Sequence, residues 1–251
     1  MRSHTGPHPV SNGLYWYGSM EYTHANDDGD AMIPIRSATT ASQVHDWLYG
    51  CVVRGDLLPG TRLSETEIAA QVGLSRQPVR EAFIRLAADG LAEVRPQRGT
   101  YIGRISMRAV LSARFIREAV ESDLARAVAA TRPDLSAMTA ELAVQERADA
   151  AGDVPGFIES DDRFHRAMAD AAGHPAVWQD LERLKAQMNR LRHLSMRVFD
   201  RSQTIAQHRA ILTALQAGDG AAADTAIRAH LRQMLTELPQ MAAAHPDYFT
   251  D

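Results

Sequence analysis

Several protein classes can be set aside from what this chain lacks. It holds a single cysteine, Cys51, in 251 residues, so an intrachain disulfide framework is excluded and a reducing cytoplasm is the expected location. No apolar run approaches the roughly 20 residues that span a bilayer, so no membrane partner is expected. The first residues lack the charged start, apolar core and small-residue cleavage site of a secretory signal. There is no Walker loop, no GxGxxG after a strand and no nucleophile elbow. Lysine is almost missing too. Lys185 stands alone in an otherwise all-arginine basic set and reads as a composition bias without functional meaning. A net charge of −4 argues against a bulk polycation. By segment, residues 41–105 sum to +1 and residues 106–251 to −3. A near-neutral segment still binds a polyanion if its arginines cluster on one face.

What is present begins with residues 63–85, LSETEIAAQVGLSRQPVREAFIR. Ile68, Ala69 and Val72 recur at helical spacing, Gly73-Leu74 breaks the pattern, and Ser75 starts a second helix as its N-cap. That helix opens with Ser75, Arg76, Gln77 and Arg80, while Val79, Ala82, Phe83 and Leu86 form a buried stripe. Polar and cationic groups on the first turn of a helix, with apolar residues behind, suit insertion into a DNA groove. Gly90 ends the helix. Residues 91–95 and 100–102 then pair as short strands around Pro96-Gln97-Arg98-Gly99, a two-stranded wing with an arginine at its tip. Upstream, Val44, Trp47, Leu48, Cys51 and Val52 mark another amphipathic helix, with Cys51 on its buried side.

This order of parts resembles the GntR family of bacterial transcription regulators. The resemblance is carried by Gly55, Leu58-Pro59-Gly60, Leu63-Ser64-Glu65, the run from Gly73 to Ala82, and Gly90-Leu91, over about residues 42–104. It implies operator DNA as partner, with Arg76 and Arg80 at the recognition positions; arginine bidentate to guanine is the commonest specific contact. Ser75 and Gln77 are placed to donate to phosphate or a base edge. Arg98 is placed for the minor groove beside Gly99, whose missing side chain allows close approach. Arg85 lies too far along the helix and reads as a surface ion-pairing residue. Thr66 stands where relatives often carry an arginine that contacts DNA; threonine keeps a hydroxyl for phosphate but loses the charge.

Residues 1–40, rich in Gly, Pro, Ser, Asn and Asp, show no sustained period and are expected to be a disordered extension. From Ser106 onward the pattern is helical, with segments at 107–130, 135–151, 154–172, 177–195, 204–217 and 221–238 joined by short Gly, Pro and Asp turns. Val110, Phe115, Ile116, Val120 and Leu124 give the first of these its apolar stripe. The expected fold is mainly α: a winged helix-turn-helix of three helices and a wing over residues 41–105, an antiparallel bundle of about six helices over residues 106–240, and a tail over residues 241–251.

Four residues of the bundle carry metal-binding chemistry. Asp161 and His165 are four apart on one helix face. His208 and His230 sit near the core-facing sides of the fifth and sixth segments, where a lone imidazole needs a partner. Carboxylate oxygen with imidazole nitrogen suits Zn, Ni, Mn or Fe, with zinc slightly favoured. The runs Asp161-Asp162-Arg163-Phe164-His165, Gln207 to Leu212 and Arg228-Ala229-His230-Leu231 resemble the metal-binding FCD domain of the FadR subfamily, over about residues 106–238. The resemblance places the metal ligands on Asp161, His165, His208 and His230. Asp162, about 100° round the helix, is expected to point to solvent. His174 and His193 are left out, the latter for its arginine neighbours.

The same resemblance gives Arg117 a place facing the pocket, against an acidic effector. A guanidinium offers a carboxylate two parallel hydrogen bonds; the bland reading of Arg117 is an i,i+4 surface pair with Glu121. Arg192 is a second, weaker effector candidate. The expectation is therefore a cytoplasmic homodimeric regulator, not an enzyme, with operator DNA and a small organic acid as partners and a divalent ion as cofactor. Dimerisation follows from the family and from half-site logic. Two alternatives stay open: a regulator whose signal is the metal itself, and a metal-dependent hydrolase fused to a DNA-binding module.

Overall fold

The computed structural model describes residues 40–251. The expected disorder of residues 1–40 lies outside the described residues, except that Thr40 begins the first helix. In order, the elements are α1 (Thr40–Arg54), β1 (Arg62–Leu63), α2 (Glu65–Gln71), α3 (Arg76–Ala88), β2 (Ala92–Arg95), β3 (Gly99–Ile102) and β4 (Ile105–Ser106). The helical region follows with α4 (Met107–Thr131), α5 (Ser136–Ala150), α6 (Val154–Ala171), α7 (Pro175–Leu184) and α8 (Ala186–Ser195). It closes with α9 (Arg201–Ala217), α10 (Gly220–Arg232), α11 (Met234–Ala244), a 3₁₀ turn (Pro246–Tyr248) and β5 (Phe249–Thr250).

The helix-turn-helix forms because its two apolar stripes share one core. Ser64 caps α2 by accepting from the Glu67 amide, and Gly73 takes a positive φ of 67° that a side chain would strain. Val79, Ala82, Phe83 and Leu86 of α3 are all buried and meet Val44, Leu48 and Val52 of α1. Each large apolar side chain so buried contributes about 1.5–3 kcal/mol. Cys51 is buried and free; burial pushes its thiol up to about 11. The wing hairpin has the register Ala92↔Ile102 to Arg95↔Gly99. A third strand unseen in the sequence, β1, pairs antiparallel with β3. Two residues are too few for a period-two pattern to register.

All six helical segments are present, but two are split. Residues 175–195 break at Lys185, where the chain makes an i→i+3 bond from its amide to the Glu182 carbonyl. Residues 220–244 tighten at Gln233 through similar bonds, Gln233 amide to His230 carbonyl and Thr236 amide to Gln233 carbonyl. Eight helices result where periodicity shows six, since a single tightened turn leaves hydrophobic spacing almost unchanged. Residues 241–251, expected as a tail, complete α11 and add β5. Phe249 is buried with Ile105, Val110 and Leu191, and β5 pairs in parallel with β4, so the link between the wing and α4 is held by a strand from the far end of the sequence.

The α4 stripe is rotated from its expected setting. Val110 and Leu124 are buried, yet Phe115 is 66% exposed and Ile116 38%. The inward side of α4 instead carries Arg117, Glu118, Glu121 and Ser122, all buried. A buried polar centre has displaced the apolar stripe. None of the described helices is long and apolar enough to cross a membrane.

Candidate functional site

At the helix-turn-helix, Ser75 is the N-cap residue of α3 but its side chain makes no capping bond. Arg76 and Arg80, one turn apart, both reach Glu65 of α2. Arg80 holds it with two donors, Nε to Oε1 at 2.9 Å and Nη2 to Oε2 at 3.0 Å, and Arg76 Nη2 adds a third at 3.0 Å. The two guanidiniums hold the Glu65 carboxyl below its usual range, with the Arg80 hydrogen bond the larger cause. Gln77 donates to Glu81 at 3.1 Å. Both arginines stay more than half exposed, so these pairs exchange readily with water or another acceptor. At the wing tip, Gln97 and Gly99 take positive φ values of 60° and 106°. Arg98 is exposed there, its carbonyl accepting from the Tyr101 hydroxyl at 3.1 Å. Arg85 is tied to the Ser42 hydroxyl at 2.7 Å instead of to a carboxylate.

In the helical region, α6 presents Asp161 and His165, α9 presents His208 and α10 presents His230, and the structure brings all four together. One ligand atom from each lies within 4.8 Å of the others. His230 Nε2 stands 3.1 Å from His165 Nε2 and 3.2 Å from His208 Nε2. Asp161 Oδ1 is 3.6 Å from His208 Nε2. With metal–nitrogen bonds of about 2.0–2.1 Å, two nitrogens on one ion stand about 2.9–3.4 Å apart, so the spacing fits a shared ion.

The other ring nitrogens fix which atom points inward. His208 Nδ1 donates to Gln145 Oε1 at 2.7 Å and His230 Nδ1 to Gln207 Oε1 at 2.9 Å. His165 Nδ1 lies 2.6 Å from Glu121 Oε2. With the proton on Nδ1, the inward Nε2 atoms carry lone pairs, which repel at this distance unless a cation lies between them. Burial pushes the His208 imidazole down to about 3 and His230 well below 6.5, despite Asp161 beside His208. Neutral imidazole is the form a metal takes. Burial raises the Asp161 carboxyl, but the Arg192 guanidinium outweighs it and holds it ionised. The residues present therefore fit a divalent ion.

Arginines line the cavity beside this cluster. The cavity, of about 40 Å³, is bordered by Arg117, Arg192, Asp161, His230, Met188 and Thr204 among others. Arg117 does pair with Glu121, Nε to Oε1 at 2.5 Å, but both are buried, so the surface-pair reading of that contact is corrected. Its Nη2 is buried without a hydrogen-bond partner among the described residues. Glu121 thus joins Arg117 to His165, and despite its burial the Arg117 guanidinium, with His165 beside it, holds its carboxyl down at about 2. Arg192 grips Asp161 Oδ2 and reaches Asp162 at 2.6 Å.

Two further expectations are corrected here. Asp162 does not stand free in solvent: part-buried, it faces Lys185 Nζ at 2.9 Å besides Arg192. Lys185 is not an idle composition bias: it is 1% exposed, with its ammonium 4.3 Å from the Trp178 ring centre. Burial lowers its pKa, opposed by Asp162. Sequence reasoning missed the orienting residues Glu121, Gln145 and Gln207. Gln145 had a signal, since it falls on the apolar stripe of α5 with Met138, Leu142 and Ala148.

Comparison with known proteins follows this division of the chain. Residues 40–102 match the model of bacterial regulatory proteins of the gntR family, and residues 113–233 match the FCD domain. The HTH-type transcriptional repressor RspR of Escherichia coli K12 is 36% identical over 83% of this chain and 93% of its own length. The Uxu operon transcriptional regulator of the same organism is 30% identical over 86% of this chain and 94% of its own length. Among solved structures, a GntR transcriptional regulator from Rhodococcus sp. RHA1 superposes with a TM-score of 0.69 at 25% identity, covering 82% of this chain and 99% of that one. With its helix-turn-helix, wing and helical bundle in this order, the chain belongs to the GntR family, a DNA-binding transcriptional regulator with an FCD domain behind its winged helix.

Proposed function

We propose that operator binding by this regulator is controlled by a small carboxylate, held jointly by a divalent metal ion and Arg117. Asp161, His165, His208 and His230 would hold the ion, with zinc slightly favoured among Zn, Ni, Mn and Fe for three nitrogens and one oxygen. When bound, the ion supplies an electrophilic centre whose open positions accept carboxylate oxygens. One observation carries the reading: three inward imidazole nitrogens and a carboxylate converge beside a cavity lined by a buried arginine with an unpartnered Nη2. A buried guanidinium nitrogen with nothing to donate to is costly, and a carboxylate from a ligand would relieve that cost. Arg192, already engaged by Asp161 and Asp162, is the second effector residue.

On the DNA side, Arg76 and Arg80 would read bases, with Ser75, Gln77, Arg98 and Gly99 at phosphate or groove. The winged helix is assigned to residues 41–105 and the effector domain to residues 106–240. The working unit is a homodimer, since one recognition helix reads only a few base pairs. Leu111, Phe115 and Ile116, exposed together on α4, offer a self-complementary apolar ridge for it. The cytoplasm is the proposed compartment, and regulation, not catalysis, the proposed role.

The deciding experiment titrates operator DNA with zinc-loaded protein, with and without citrate and a panel of two- to six-carbon carboxylates. Coupling of about 1–3 kcal/mol, or roughly 5–150-fold in affinity, is the expected scale, and DNA must change acid affinity by the same factor. Arg117→Lys keeps the charge beside Glu121 but loses the fork, so it should retain metal and operator binding and lose the acid response. A response to zinc alone, unaltered by any acid, would favour the metal as signal; ester or amide turnover would favour a hydrolase.

A further inference from the structure

The helix α8 touches both the metal-site cluster and the winged helix. On one side, Met188 and Arg192 line the cavity. On the other, Ala186 is packed into the winged-helix core, and two polar side chains reach the wing. Gln187 Nε2 donates to the Gly90 carbonyl at 2.5 Å, and Arg190 Nη2 donates to the Gly103 carbonyl at 2.8 Å. Gly90 lies just before β2 and Gly103 just after β3, so these are the two feet of the wing hairpin. The feet are themselves joined by the Gly103 amide to the Leu91 carbonyl at 2.9 Å. Arg190 Nη1 also donates to Gln187 Oε1 at 3.3 Å, which links the two grips.

We propose that Gln187 and Arg190 are positioning residues for DNA binding, through which α8 of the effector domain sets the placement of the wing. Arg190 is the stronger clue. It is buried, and its hydrogen-bond partners are a backbone carbonyl and a carboxamide, neither of them charged. A guanidinium buried in that way is expensive for stability, and an apolar residue of similar size would cost less. Burial alone brings its pKa down to about 10. What the charge secures is a directional hold on one carbonyl, while Gln187 secures the other. A hairpin held at both feet carries its tip, Arg98, at a fixed height over the groove; one held by a single foot pivots. Arg192, two residues along α8, grips Asp161 and Asp162, so the helix that holds the wing is also fastened to the metal-site helix. The hold on the wing needs no ligand; only its use as a signal rests on the carboxylate reading above.

The test uses the full chain, free of metal and acid, and a duplex selected from a random 30-bp library. Wild type, Gln187→Ala/Arg190→Met, Arg98→Ala and the triple variant are compared for duplex affinity and for hydrogen exchange at the amides of residues 91–102. The double variant should exchange on the order of tenfold faster across the wing and bind on the order of tenfold more weakly, the scale of one lost groove contact. In the Arg98→Ala background the further loss should vanish, because a misplaced tip without its arginine has nothing more to lose. Unchanged wing exchange overturns the proposal, and so does an affinity loss that persists in full without Arg98. If the double variant melts early, Gln187→Ala alone carries the same cycle. Failure of metal or acid binding would overturn the proposed function and leave this result standing.

Discussion

Arginine–carboxylate pairs occur at both working ends of this molecule. At the DNA side, Glu65 holds Arg76 and Arg80, with both guanidiniums largely in water. In the helical region, Arg117 holds Glu121, and Arg192 holds Asp161, with all four side chains buried. The chemistry is the same and the cost of separation is not. An exposed pair contributes about 0–1 kcal/mol and is replaced by phosphate or a base edge with little penalty. A buried pair leaves an uncompensated charge when one partner is removed, at about 3–5 kcal/mol. The outer pairs are therefore built to be exchanged and the inner ones to hold a geometry, which under the proposed function is kept while a small ligand exchanges beside them.

The comparison is tested most severely by the metal ligands. His208→Ala and His230→Ala should each lose a stoichiometric divalent ion, read by elemental analysis, and melt earlier because the proposed ion would join α6, α9 and α10. Gln145→Ala, which frees the His208 ring, should weaken metal binding by about 10–100-fold. Full metal retention in both histidine variants would remove the metal reading altogether. Next in size, Arg117→Ala should cost about 3–5 kcal/mol in denaturant unfolding through the stranded Glu121. A loss under 1 kcal/mol would show that the inner pairs are no different from the outer ones.

The outer pairs should behave in the opposite way. Arg76→Ala should leave stability nearly untouched, yet cost about 1–3 kcal/mol at the operator and little on random DNA. Equal losses on both DNAs would reduce these arginines to phosphate contacts. The smallest stability effect is expected for Glu65→Gln, within about 1 kcal/mol. On random DNA it should bind more tightly, because a negative charge that offsets two arginines is gone.

A pH series draws the same line. In the metal-free protein the His208 and His230 imidazoles titrate below the ordinary 6.5, His208 at about 3. Between those values the unfolded chain binds more protons than the folded one, so stability is lost as pH falls from 6.5 towards 3. His208→Gln, followed by thermal melting across that range, should flatten the dependence.

The sequence made the two regions legible to different degrees. Gly73, Ser75 and the Val79-to-Leu86 stripe mark the helix-turn-helix because a winged helix is local: its turns, caps and stripes are written in consecutive residues. The four proposed metal ligands were legible as types on helix faces, and their convergence is a tertiary fact borrowed from a resemblance. Glu121, Gln145 and Gln207 escaped because an orienting residue is defined by the atom it faces, from another helix. The exposed Phe115 misled for the same reason. Its periodicity was sound, but a polar centre had claimed the inner side of α4. Lys185 was dismissed because composition gives frequency, and burial gives meaning.

That lysine has a practical side. It is the chain's only one, and its amine is buried at the break between α7 and α8, between Asp162 and the Trp178 ring. Reagents that acylate lysine amines, and sensor surfaces that capture proteins through them, find no other lysine in these 251 residues. Acylation at Lys185 requires the α7–α8 corner to open first. The rate at which mass spectrometry sees that single adduct appear, with and without DNA, is a clock for the opening of this corner, ticking at one atom.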